Sequence, residues 1–122
     1  MTFHGFLDKP KLHELLDGCH LGLVPMDPAS GVQGPYKAAD YTAAGLPILS
    51  CLGNELQDLI ETHTIGLTYQ FGKAPSLADA IKHLRNLPDS YRNAQANAFK
   101  LAKESFDRSV SYYKLCEFIG FR

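Results

Sequence analysis

Residues His20 to Cys51 read HLGLVPMDPASGVQGPYKAADYTAAGLPILSC, and this stretch decides the fold. His20–Pro25 is a short apolar run, predicted as a buried strand. Met26–Pro35 holds two glycines, two prolines, an aspartate and a serine, so it is a loop. Tyr36–Ala44 is an alanine-rich helix that Gly45 ends and Pro47 forbids from continuing. Pro47–Cys51 is a second apolar run. Strand, loop, helix and strand in that order make a βαβ unit with parallel strands.

The same alternation extends outward. Thr2–Phe6 is predicted as a strand. Asp8 is placed to cap a helix starting near Lys9, whose apolar stripe is Leu12, Leu15, Leu16 and Cys19 and whose end is Gly18. Beyond Cys51, Asn54 caps a helix through Leu56, Leu59 and Ile60, with Gln57 in capping-box spacing. Ile65–Phe71 is a further strand. Ser76 and Asp79 form another box-like pair ahead of a helix with Leu77, Ala80, Ile81 and Leu84 on one face. Two more helices span roughly Ser90–Glu104 and Arg108–Ile119, with Asp107 as the cap of the last. The expected class is α/β: a Rossmann-like parallel sheet with flanking helices.

Composition narrows the function classes. The length of 122 residues suits one domain. A net charge of −1 carries no basic excess, which argues against nucleic acid as a partner. Cys19, Cys51 and Cys116 form no C-x-x-C pair, so they read as small apolar groups in a reducing compartment. The histidines His4, His13, His20, His63 and His83 lack ligand spacing, so no metal cofactor is expected; His4, at a strand end, is the one to watch as a ligand contact. Ser30 and Ser50 lack a nucleophile elbow. No apolar run spans a bilayer and Met1–Gly5 is no signal peptide, so the expected location is cytoplasmic. Tyr112, Tyr113, Phe118 and Phe121 are expected in core or inter-domain packing.

The chemistry concentrates after the first strand of the βαβ unit, where open α/β sheets bind ligands. The first amides of the helix have no intrahelical partner and sit at the positive end of its dipole, so they favour an anion such as pyrophosphate. Gly34 permits close backbone approach, Pro35 suits the first turn, and Lys37 adds a cation. One turn on, Asp40 can accept hydrogen bonds from both hydroxyls of a ribose. A plain surface loop and an amphipathic helix have the same spacing, and the segment is no P-loop.

The string YKAADYTAAGLPILS, Tyr36–Ser50, resembles the hallmark helix of GT-B-fold retaining glycosyltransferases of the family-4 type. Their pattern there is Lys-x-x-Glu-Tyr-x-Ala-x-Gly-x-Pro-Val. Phe3–Phe6, Leu21–Pro25, Glu55–Ile60 with Gly66-Leu67, and Ala94–Phe106 are similar to further family segments in the same order. The resemblance implies the C-terminal, donor-binding domain of such an enzyme, with the acceptor domain and the opening strands of the donor domain absent. The donor would be a nucleotide sugar, in the first place a UDP-sugar. The acceptor would be a glycan or lipid-linked glycan of surface polysaccharide or O-antigen, with the whole enzyme peripheral on the cytoplasmic membrane face. It also implies site roles: Asp40 on the ribose; Gly34, Pro35, Tyr36 and Lys37 at the diphosphate; Ser30, Gly31, Val32 and Gln33 in the donor-sugar loop; Phe6 and Leu7 at the base. Two positions depart from the pattern. Asp40 is one methylene shorter than the family's glutamate, and Val32 stands where the E-x(7)-E pair has its first acid. On this reading the chain is inactive alone and exposes strand edges through which two copies can associate. The alternatives are a non-enzymatic flavodoxin-like interaction or regulatory module, and a nucleotide-sugar epimerase relative.

Overall fold

The computed structural model describes residues 1–120. Three short parallel strands, β1 (Gly22–Val24), β2 (Ile48–Ser50) and β3 (Gly66–Thr68), lie in sequence order β1-β2-β3, with Leu23 opposite Leu49 and Leu49 opposite Leu67. Six α-helices occur among the described residues: α1 (Lys9–Asp17), α2 (Tyr36–Ala43), α3 (Glu55–His63), α4 (Ala74–Asn86), α5 (Pro88–Leu101) and α6 (Arg108–Phe118). The class is therefore α/β with a small open parallel sheet.

The central strand β2 is buried throughout, and its pleat sends alternate side chains into two cores. Ile48 joins Val24, Ala38, Leu56, Ile60, Ile65, Ala98 and Leu101, the layer built by α2, α3 and α5. Leu49 joins Ala80 and Leu84 of α4, with Leu21, Leu67, Leu77 and Tyr91 against them. Each fully buried Ile or Leu contributes roughly 1.5–3 kcal/mol. Two hydrogen bonds finish β2 at its carboxyl end: Leu52 N–H donates to Ser50 Oγ (3.2 Å) and Tyr69 N–H to the Ser50 carbonyl (3.0 Å).

Several caps stand as expected. Asp8 accepts from Lys11 N–H (3.1 Å), Asn54 from Leu56 N–H (3.0 Å) and Asp107 from Ser109 N–H (2.8 Å). Other expectations need correction. Thr2–Phe6 is not a strand: no neighbour supplies a hydrogen-bond ladder, and Phe3 and Phe6 lie exposed. The capping box at Asn54 is half made, because the Gln57 amide turns forward to Glu61 (2.7 Å). Ser76 caps nothing. The helix begins two residues earlier at Ala74, with Pro75 in its first turn, and Ser76 Oγ instead accepts from Gln70 N–H (2.9 Å). The strand expected over Ile65–Phe71 stops at Thr68 because β2 ends opposite it.

Past Leu101, α5 widens into a π turn over Ala102–Phe106 before the chain turns into α6. No side chain of α6 is buried: Tyr112 and Tyr113 are exposed and Phe118 is 89% exposed, so these aromatics form no core; Phe121 lies outside the described residues. Among the described residues no helix is long and apolar enough to cross a membrane.

Candidate functional site

Helices α2, α3 and α4 all begin beyond the carboxyl ends of strands, so their amide-rich starts gather at one edge of the sheet. Asn54 caps α3, whereas no side chain caps α2. Pro35 is extended (φ −67°, ψ 135°) and its carbonyl receives Ala38 N–H (2.9 Å), which sets the first turn without occupying its leading amides. Tyr36, at that turn, is 93% exposed. The start of α2 is therefore open, as an anion seat requires.

The preceding loop is held rather than loose. Asp27 accepts from Ala29 N–H (2.8 Å), closing a 3₁₀ turn over Pro28–Ser30, and Gly31 follows with φ +73°. Ser30 Oγ accepts from Val32 N–H (3.4 Å), and the Asn54 amide donates to the Val32 carbonyl (2.5 Å). A Cβ built on Gly34 meets nothing within 4 Å, so no packing inside the chain demands glycine there.

Asp40 is exposed and its carboxylate has no hydrogen bond or ion pair among the described residues. It lies between two hollows. The larger is an open groove of about 820 Å³ between α2, the end of α5, the π turn and the start of α6. Tyr36, Ala39, Asp40 and Ala43 form its α2 wall, and Phe99, Lys103, Phe106, Asp107, Arg108 and Ser111 the opposite one, with Lys9 at its rim. The smaller, of about 310 Å³, is lined by His13, Asp17, Asp40, Ala43 and Ala44. The groove volume lies within the range of small-molecule sites, roughly 300–1,000 Å³.

The sequence-derived site residues do not all converge. Tyr36 and Asp40, four apart on one helix face, share the groove. Lys37, one residue round the helix, does not line it, nor do Ser30, Gly31, Val32, Gln33, Gly34 and Pro35. Phe6 and Leu7 line neither hollow, and Phe6 is 98% exposed. His4 is exposed and apart from both.

Sequence reasoning missed Lys9, Lys103 and Arg108, which reach the groove from three parts of the chain without a shared motif. It also missed a hollow of about 300 Å³ at the carboxyl edge of the sheet, lined by Pro25, Cys51, Tyr69, Phe71 and Lys73 among others. There the Cys51 thiol donates to the Met26 carbonyl (3.4 Å), and burial, then the Cys51 thiol, push the Tyr69 phenol well above its ordinary range. A buried cysteine looks like any small apolar residue in a sequence. At the groove, the Ser109 hydroxyl and amide hold the Asp107 carboxyl below its ordinary range. No cluster of metal-ligating side chains occurs among the described residues. No family model, curated protein or solved structure matches the chain.

Proposed function

We propose that this chain is the donor-binding portion of a GT-B-type retaining glycosyltransferase, with α2 and its groove receiving a nucleotide sugar, in the first place a UDP-sugar. One observation carries the reading: Asp40, an exposed carboxylate with no partner among the described residues, opens onto a ligand-sized groove one turn beyond a helix start that no side chain caps. Asp40 accepts the ribose hydroxyls. The open amides of α2 stabilise the diphosphate as negative charge builds on it during transfer, with Lys37 adding charge from outside the groove. The domain's share of the reaction is to position the donor. The acceptor, a glycan or lipid-linked glycan, belongs to a second domain. Three parallel strands in sequential order fit the second half of a doubly wound sheet. Among the described residues the outer edges of β1 and β3 carry no neighbouring strand, and association of copies through them belongs to the same proposal.

Isothermal titration with UDP and UDP-sugars tests this. Wild type binds, and Asp40→Ala weakens binding by about 10- to 100-fold, the loss expected for hydrogen bonds to a charged acceptor. Binding unchanged by Asp40→Ala, or no binding by the folded protein, sinks the reading. The second reading, a non-enzymatic interaction module, draws support from the exposed apolar residues of α6.

A further inference from the structure

The groove beside Asp40 has a charge pattern that the ribose contact leaves unused. Three cations line it from three separate segments: Lys9 from the first turn of α1, Lys103 from the π turn and Arg108 from the first turn of α6. None of them forms an ion pair among the described residues, although two carboxylates line the same groove. One of those, Asp107, is committed to the α6 cap through the Ser109 amide and hydroxyl. The other is Asp40. The frame is tied in place: Ser111 Oγ donates to the Ser105 carbonyl (2.9 Å) and Lys114 Nζ to the Glu104 carbonyl (3.1 Å), which fastens α6 to the π turn. Lys103 and Arg108 therefore project from one braced unit, and Phe99 and Phe106 add apolar surface to the same groove.

We infer that Lys103 and Arg108, with Lys9 from α1, form a phosphate-binding wall, so that the groove takes a diphosphate-bearing small molecule whose anion meets these cations on the side that does not face α2's amides. A guanidinium and an ammonium on one wall suit a diphosphate, which offers oxygens to both. The inference rests on the sugar-nucleotide reading only in its choice of ligand class. To the charge of Lys37, which stands outside the groove, it adds cationic contacts from residues remote in sequence.

Inorganic pyrophosphate is the probe, titrated into the full chain by calorimetry. The variants are Lys103→Ala/Arg108→Ala, Lys9→Ala, and Lys82→Ala/Arg85→Ala as a control that removes the same charge from exposed positions on α4. All substituted side chains are exposed, and circular dichroism verifies that each variant is folded. Lys103→Ala/Arg108→Ala is expected to weaken pyrophosphate binding by about tenfold or more, Lys9→Ala by less, and the control by under about twofold. Equal weakening by the control means diffuse charge attraction and overturns the inference. An unaffected double variant, or a folded wild type that does not bind pyrophosphate, also overturns it. UDP separates the two readings. If UDP binds no tighter than pyrophosphate and Asp40→Ala is silent, the sugar-nucleotide reading fails while the phosphate wall stands. If Asp40→Ala weakens UDP and the Lys103/Arg108 variant does not, the reverse holds.

Discussion

The side-chain amide of Asn54 spans two loops: its nitrogen donates to the Val32 carbonyl (2.5 Å) and its oxygen accepts from Leu56 N–H (3.0 Å). One residue thus starts α3 and pins the loop that leads into α2. Asn54→Ala is expected to lower stability by about 1.5–2.5 kcal/mol, a lost cap of about 1 plus a lost loop bond. Asn54→Asp keeps the cap oxygen and loses the donor. It should cost less than alanine in urea denaturation yet speed amide exchange over residues 31–34 as much. Equal stability losses for the two variants would show that the loop bond, not the cap, dominates.

Gly45 leaves α2 with φ +68°, and a Cβ there would run into the Phe99 ring of α5. Gly45→Ala combines a left-handed backbone penalty with displacement of the half-exposed Phe99 ring, so a loss of about 1.5–3 kcal/mol is expected. Thermal melting measures it. Gly45→Ala in a Phe99→Ala background isolates the backbone share and should cost about 1–2 kcal/mol.

Thr64 ends α3 in the left-handed region, φ 52°, which disfavours a β-branched side chain. Thr64→Gly relieves roughly 1–2 kcal/mol of strain and adds about 0.5–1 kcal/mol of unfolded-chain entropy, for a net gain near 0.5–1 kcal/mol. Thr64→Ala keeps most of the strain. Chemical denaturation that ranks alanine at or above glycine would contradict this account.

Burial is the largest cause raising the phenols of Tyr41, Tyr69 and Tyr91 above 10.0. The folded protein then holds protons that the unfolded chain has released. The stability these groups contribute is fully present below pH 10, declines above it and is lost as pH rises through the folded values. Tyr69→Phe removes the titration and should flatten the alkaline fall in stability. A fall of unchanged slope in denaturation series above pH 10 would place the effect elsewhere.

Local signals carried most of the element reading. Asp8, Asn54 and Asp107 cap their helices with their own side chains, and Gly18 and Gly45 stand where α1 and α2 stop. Capping is a contact within a few residues, so it is visible in a string of letters. Strands were harder. Thr2–Phe6 has strand-like composition, yet a strand exists only where a neighbour completes its ladder, and the stretch lies exposed. Ser76 shows the same limit at a helix start, where a long-range acceptor role displaced a local one.

Sequence alone determined the α/β alternation, the open start of α2 and the position of Asp40 one turn beyond it, because each follows from spacing along a single helix or turn. Tertiary structure decided which side chains line the groove beside Asp40. Lys103 and Arg108 share its groove because α5 packs on α2 and the π turn redirects the chain into α6, and Lys9 lines the same groove from α1. It also separated Lys37 and the Ser30–Gly34 loop from that groove. Residues neighbouring in sequence diverge around a helix, while a groove collects side chains from elements that only packing brings together.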